Sequence, residues 1–224
     1  MLSKFTWNGA VMIEETIDYP NLISVNGQSY SCIDPRINNS KGDIIDLGCC
    51  NWLYNWNWFQ FLSKRVVGVD PFEVHIPSGF ELFRGIIGNC DGSILMFNEG
   101  SASSVFNYSQ SIIELPMLSF ERPSAIELPM LSFDSFAARY KIDEISLLKI
   151  NINGFEYPFL MSLTEKWYDC IDQILVCFHD SVSISPLSRP FPLRATNVVV
   201  DYLTKWYDYI LVDPQLRWFL FLKR

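Results

Sequence analysis

Short apolar runs alternate with polar or helix-like segments along most of the chain. These runs are rich in β-branched and aromatic residues and cover 43–47, 65–69, 81–87, 144–152 and 171–178. Runs of this length and composition predict buried strands. Strands that alternate with helical segments predict an α/β fold with a mostly parallel sheet.

Apolar residues at helical spacing predict the segments that connect these strands. The predicted helices cover 51–64, 134–140, 158–167 and 195–206. The chain then closes with two apolar runs, 209–212 and 216–222, on either side of Asp213-Pro214-Gln215. Two strands joined by so short a turn are antiparallel neighbours, so the sequence predicts an antiparallel C-terminal hairpin.

The segment 93–133 departs from this alternation. Residues 93–111 are rich in Ser and Asn, which indicates a hairpin or an excursion over one end of the sheet. The octapeptide IELPMLSF then occurs at 113–120 and again at 126–133. Two copies are too few for a solenoid. The simplest interpretation is a tandem duplication of thirteen residues that lengthens a loop and leaves one copy redundant.

Length and composition favour one domain over 1–224, with 1–42 as an N-terminal extension and 93–133 as an inserted loop or hairpin. The net charge is -8 and no cluster of Lys and Arg occurs, which disfavours nucleic acid as a partner. No apolar run is long enough for a membrane span, and the first residues lack the apolar core of a secretion signal. We therefore expect a cytoplasmic protein.

Six cysteines and two histidines show neither a CxxC pair nor a Cys/His cluster. Free buried thiols are the favoured interpretation, and no metal site is expected.

Candidate chemistry gathers after the predicted strands, because open α/β sheets bind ligands beyond the carboxyl ends of their strands. The first strand ends in Asp46-Leu47-Gly48, where glycine lets the backbone approach a ligand and helix N–H groups face it. Asp70, directly before Pro71, ends the second strand about twenty residues later, where a carboxylate can bind a ribose diol. Together these features favour a nucleoside ligand.

Five stretches resemble, in order, the FkbM-type S-adenosylmethionine-dependent methyltransferases. They are DIIDLGCCNW, VVGVDPFE, GIIGNCDGSI, LLKININGFEYPFL and ILVCFHD, within roughly 43–180. The resemblance implies a Rossmann-like class I methyltransferase sheet in a three-layer α/β/α fold, mostly parallel with an antiparallel C-terminal hairpin. It also implies S-adenosyl-L-methionine as the cofactor and O-methylation of a hydroxyl on a sugar or sugar-containing metabolite.

The same resemblance implies the residues of the site. The cofactor residues, from the methionine end through the ribose to the adenine, are Asp46, Gly48 and Cys49, then Asp70 and Pro71, then Asn89 or Asp91. The motif of the fourth strand, which borders the methyl-transfer site, is matched by Lys149, Asn151, Asn153, Gly154 and Glu156. His179 matches the histidine that follows the fifth strand.

Three side chains are candidates for catalysis, namely His179, Lys149 and Glu156. An imidazole at a strand end can take a proton from an acceptor hydroxyl, although a hydrogen bond to the backbone would explain His179 equally well. Lys149 lies in an apolar strand, where an unpaired ammonium is costly, so we expect it to reach Glu156 or Asp46. Lys149 and Glu156 either order the site or only close a salt bridge.

Two positions depart from the family pattern. Trp52 stands where the family has a second glycine, and Asn153 stands where it has a glutamate. With the duplication, they motivate an alternative, a catalytically inactive methyltransferase-like protein that binds a ligand or partner. A nicotinamide-dependent oxidoreductase is disfavoured because GxGxxG is lacking. The expected partner of the favoured function is a small-molecule or glycan acceptor.

Overall fold

The computed structural model describes residues 2–7, 12–17, 23–25, 28–50, 64–72, 75–97, 125–179, 194–212 and 218–224. Strands β1 to β14 are Leu2–Trp7, Met12–Ile17, Ile23–Val25, Gln28–Ile33, Asp43–Leu47, Val66–Val69, Phe80–Phe83, Ile86–Gly88, Gly92–Phe97, Ala125–Ser132, Ile145–Ile150, Gln173–Cys177, Tyr207–Leu211 and Trp218–Lys223. Helices α1 to α4 are Phe133–Tyr140, Glu156–Ser162, Glu165–Cys170 and Arg194–Leu203, and a 3-10 helix covers Pro35–Asn39.

A nine-stranded sheet, in the order β2-β1-β13-β14-β12-β11-β5-β6-β7, forms the centre of the described residues. Strands β7, β6, β5, β11 and β12 are parallel neighbours. Strand β14 lies antiparallel between β12 and β13. The predicted mostly parallel sheet with an antiparallel C-terminal hairpin is therefore confirmed. The predicted extension contributes more than a tail, because β1 and β2 continue the sheet beyond β13.

A smaller sheet consists of β8, β10 and β9 in that order. Strand β10 is parallel to β8 and antiparallel to β9. The second copy of the repeat supplies most of β10 and Phe133, the first residue of α1. The second copy therefore forms part of a strand pair, whereas the first copy lies outside the described residues. That the duplication lengthens a loop and leaves one copy redundant stays a prediction.

Two predicted elements are each divided. The predicted strand at 81–87 separates into β7 and β8 around Gly85, where an added Cβ would lie 2.6 Å from the carbonyl oxygen of Pro129. The predicted helix at 158–167 begins earlier and is interrupted by the extended residues Leu163 and Thr164, which separate α2 from α3. The predicted helix at 51–64 lies outside the described residues except for its last residue.

Both faces of the central sheet are apolar. On one face, buried residues of β5, β11 and β12 pack with residues of all four helices, including Phe136, Phe159 and Tyr168. On the other face they pack with Ile33 and Ile37 of the N-terminal segment. The described helices therefore cover one face, and the third layer stays a prediction. No helix in the described parts of the chain has the length and apolar character needed to cross a membrane.

Candidate functional site

Strands β5 and β11 meet where the order of the central sheet reverses. From β5 the chain proceeds outward to β6 and β7, and it later returns to β11 on the opposite side of β5. At such a switch point, the chain continues from the two strands to opposite sides, and open α/β sheets bind their ligands beyond these strand ends. The predicted site residues that follow β5, β6, β11 and β12 therefore share one edge of the sheet.

Gly48 forms the turn after β5. Its φ of +74° lies in the left-handed region, which glycine adopts without steric cost. A Cβ at this position would lie 2.0 Å from the carbonyl oxygen of Asn151, in the turn after β11. The Gly48 N–H donates to Val69 O at 2.8 Å, and the Asn151 N–H donates to Leu47 O at 3.0 Å. The turns after β5 and β11 therefore touch through their backbones, and only glycine fits between them.

A buried ion pair lies beside this turn. Lys149 Nζ is 2.7 Å from Asp46 Oδ1, and the two side chains are 4% and 0% exposed. They are neighbours because the register of β11 and β5 places Lys149 opposite Asp46. The ammonium also donates to the carbonyl oxygen of Gly48 at 2.9 Å. The prediction that Lys149 reaches a carboxylate is confirmed, with Asp46 rather than Glu156 as its partner.

The carboxylate of Asp70 faces the same turn from the end of β6. Oδ2 accepts a hydrogen bond from the Cys50 N–H at 3.0 Å, and Oδ1 accepts one from the Phe72 N–H at 2.9 Å. A carboxylate offers about four acceptor positions, so these two bonds alone do not exhaust it. Cys49 is buried in the apolar cluster opposite the helices, and Pro71 is half-buried next to Asp70.

Asn89 and Asp91 follow β8 and are exposed. Asp91 Oδ2 accepts from the Ser135 hydroxyl and Oδ1 from the Ser132 N–H, both at 2.7 Å. These hydrogen bonds, the one from Ser135 foremost, hold the pKa of the Asp91 carboxyl below its ordinary value of 3.8. Asp91 therefore joins the segment that carries Asn89 to the start of α1.

Glu156 and His179 form a second cluster at the ends of β11 and β12. His179 Nδ1 is 2.7 Å from Glu156 Oε1, and the side chains are 19% and 0% exposed. Glu156 Oε1 also accepts from the Ile152 N–H at 2.9 Å, and Oε2 accepts from the Gly154 N–H at 2.8 Å. If Glu156 accepts in this contact as it does from the two N–H groups, Nδ1 is the donor and Nε2 is left as the accepting ring nitrogen.

The turn after β11 is shaped around the Glu156 carboxylate. Asn153 and Gly154 both have a positive φ, +52° and +97°. Asparagine tolerates the left-handed region better than most side chains, so the departure from the family's glutamate suits the local backbone. The residues next to the pair, Tyr157 and Phe178, stack with ring centroids 5.3 Å apart. This stack connects the two elements that carry Glu156 and His179.

The structure thus brings most of the predicted residues to one edge, while Trp52 lies outside the described residues. The pairing of Glu156 with His179 was missed at the level of sequence. The available signal was that the two residues follow consecutive predicted strands. Among the residues that the structure describes, no three His, Cys, Asp or Glu side chains are grouped closely enough to hold a metal ion.

Comparison with known proteins adds one finding. The family model described as "Methyltransferase FkbM domain" matches residues 37–187. No curated protein and no solved structure matches the chain. The family match includes β5, β6, β11 and β12 and every residue of the two clusters described above. Because it covers more than half of the sequence, the chain belongs to the FkbM methyltransferase family.

Proposed function

We propose that the protein is an S-adenosyl-L-methionine-dependent O-methyltransferase that acts on a hydroxyl of a sugar or sugar-containing small molecule. Family membership supports methyl transfer. The observation that carries the proposal is that a glycine turn, a carboxylate that faces it and an imidazole held by a buried glutamate share one edge of the sheet.

The residues of the β5 and β6 turns fit the cofactor. Gly48 is half-exposed at the sheet edge, where the turn presents backbone alone, because Asn151 occupies the space that a side chain would take. Asp70 lies beside this turn, where its carboxylate can accept from the two hydroxyls of a ribose. We assign Cys49, Pro71 and Asn151 to the walls around the cofactor and Asn89 or Asp91 to the adenine end. When bound, S-adenosylmethionine supplies an electrophilic methyl group.

His179 supplies the base in this proposal. A hydroxyl must lose its proton as its oxygen attacks a methyl group, and Nε2 is the ring nitrogen that can take this proton. Glu156 holds Nδ1 through a 2.7 Å contact, which fixes the tautomer and stabilises the imidazolium that forms. Glu156 itself already accepts three hydrogen bonds, so it is a positioning residue rather than a second base.

Calorimetric titration with S-adenosylmethionine and S-adenosylhomocysteine tests the cofactor assignment. We expect micromolar binding by the wild type and a loss of at least about tenfold in Asp70→Ala, because each hydroxyl loses a charged acceptor. Asp143→Ala is the matched control, because Asp143 is an exposed carboxylate before β11. Folded wild-type protein that binds neither compound would refute the proposal and leave the inactive methyltransferase-like binder.

Release of S-adenosylhomocysteine in the presence of a panel of sugars and nucleotide sugars tests the base. We expect His179→Gln to lower turnover about 100-fold to 10,000-fold while cofactor affinity stays within about twofold. Unchanged turnover would remove His179 from this role. Turnover with amine acceptors alone would contradict O-methylation.

A further inference from the structure

We propose that Lys149 is a positioning residue for the cofactor turn, which it holds through the carbonyl oxygen of Gly48. In this arrangement, Asp46 acts on the cofactor only through Lys149. The inference rests on the proposed function, because it concerns how this chain prepares the turn that receives the cofactor.

Burial separates Asp46 from any ligand. Its side chain is fully buried, and its Oδ1 lies 2.7 Å from Lys149 Nζ. By strand alternation, Asp46 points to the sheet face of Ile44 and away from the helices. Its carboxylate therefore neutralises the ammonium in the protein interior, whereas Gly48, two residues later, is half-exposed at the sheet edge.

Lys149 makes the contact that sets the direction of the Gly48 carbonyl. The other contacts of this turn described above go to N–H groups or to the carbonyl of Leu47. A peptide unit is planar, so the direction of the Gly48 carbonyl also sets the direction of the Cys49 N–H. That N–H lies 3.4 Å from Val69 O, a long hydrogen bond that holds the plane weakly by itself.

The effect of Lys149 extends to the proposed ribose site. Cys50 follows the Gly48–Cys49 peptide, and its N–H donates to Asp70 Oδ2 at 3.0 Å. If the Gly48 carbonyl lost the ammonium, the peptide plane would be free to rotate and would displace the Cys50 N–H from Asp70. A chain of contacts thus runs from Lys149 through Gly48 and Cys50 to Asp70.

Three variants separate this role from that of a merely structural ion pair. Lys149→Met removes the donor and takes the ammonium away from the buried Asp46 carboxylate. The double variant Asp46→Val/Lys149→Met removes both charges, so it recovers stability while Gly48 O still lacks its donor. Asp46→Asn removes the counter-charge and lowers Tm, but it keeps the Lys149 donor, because the amide oxygen still accepts from the ammonium.

Calorimetric affinity for S-adenosylhomocysteine and the thermal midpoint are measured for each variant. We expect a loss of affinity of about tenfold or more in Lys149→Met and in the double variant, whose Tm nevertheless lies above that of Lys149→Met. Asp46→Asn should stay within about threefold of the wild type. Lys166→Met is the matched control, because Lys166 forms an exposed ion pair with Asp134. It should leave affinity unchanged.

Hydrogen exchange adds a readout that does not depend on the ligand. The amides of residues 48–50 should exchange faster in the double variant than in the wild type, at equal overall stability. The inference is overturned if the double variant binds like the wild type, or if Asp46→Asn loses as much affinity as Lys149→Met. Failure of the wild type to bind would instead refute the proposed function, so the two failures are distinguishable.

Discussion

The turns after β5 and β11 lie side by side, yet their buried carboxylates have different partners. After their proposed roles, we call the turn after β5, with Asp46, Lys149 and Asp70, the cofactor half, and the turn after β11, with Glu156 and His179, the acceptor half. In the cofactor half, the Asp46 carboxylate is neutralised by a lysine from the neighbouring strand. In the acceptor half, the Glu156 carboxylate accepts from two backbone N–H groups and an imidazole.

This difference indicates that the two carboxylates have different roles. A lysine and an aspartate that are buried together hold each other in place, which suits a turn that must stay fixed. An imidazole on a buried carboxylate can gain a proton and keep its position, which suits a group that takes part in proton transfer. The predictions below test whether the two halves respond separately.

The largest effect is expected for Gly48→Ala in the cofactor half. The new Cβ would lie 2.0 Å from Asn151 O, so one of the two turns must move. We expect the free energy of unfolding to fall by more than about 4 kcal/mol in urea titration. Gly79→Ala is the control, because Gly79 also has a positive φ, +83°, but no atom within 4 Å of an added Cβ. Gly79→Ala should lower the free energy of unfolding by only about 1 kcal/mol. Equal decreases in the two variants would contradict the steric explanation.

A smaller effect is expected for Glu156→Gln in the acceptor half. The amide keeps one acceptor but loses the charge that Ile152, Gly154 and His179 share, so we expect a loss of about 3 kcal/mol of stability. Turnover should fall as His179 loses its fixed orientation, while affinity for S-adenosylhomocysteine should stay close to that of the wild type. A parallel loss of affinity would show that the halves are not separate.

Asp91→Asn should have a modest effect that depends on pH. Hydrogen bonds from Ser135 and Ser132 lower the pKa of the Asp91 carboxyl below 3.8 in the folded protein. A lowered pKa contributes stability above the unfolded value, and this contribution is lost as the pH falls through the folded value. The Tm of the variant should therefore lie below that of the wild type at neutral pH, and the gap should close below pH 3.8. A constant gap would contradict the assignment.

The smallest effect is expected for deletion of 112–124, which removes the first copy of IELPMLSF. The connection between β9 and β10 becomes about half as long, and halving a connection changes stability by only about 0.6 kcal/mol. Deletion of 125–137 instead removes the second copy and leaves the first. Pro123, three residues after the first copy, then stands at the position of the buried Phe136. Circular dichroism melts should show a large loss for this second deletion alone. Similar losses for both would contradict the redundancy of the first copy.

Local patterns were sufficient for the parallel strands of the fold. Strand β5 was predicted with its observed bounds, because Asp43–Leu47 is an apolar run between two glycines. The division of the run at 81–87 was missed, because Gly85 is crowded by Pro129, which is distant in the sequence. Such contacts between distant residues form only in the folded protein. The hydrophobic periodicity of a single segment does not reveal them.

Pro129 also makes strand β10 difficult to predict from the sequence. Proline is rare within sheets because it lacks an N–H, so a segment that contains it does not read as an inner strand. In the structure β8 pairs with β10 only from Met130 onward. At Pro129, strand β10 is paired on the β9 side alone. The exception therefore depends on the residue at which β8 begins, and local sequence rules do not give that residue.

For the candidate site, residue types were easier to predict than partners. A lysine within an apolar strand predicted a carboxylate nearby, but the register of β11 on β5 selects Asp46 over Glu156. Glu156 and His179 were each identified as candidates, yet their pairing depends on the positive φ of Asn153 and Gly154, which wraps the turn around the carboxylate. Cofactor and acceptor remain proposals.

The contact between Gly48 and Asn151 has a consequence for anyone who wishes to redesign acceptor preference. Because the two backbones abut, an insertion or deletion in the β11 turn that enlarges room for a new acceptor would also deform the cofactor turn. Exposed positions of α4, such as Val198, lie outside both turns. A directed library that leaves 47–51 and 150–154 unchanged should therefore retain more folded, cofactor-competent clones than one that varies them.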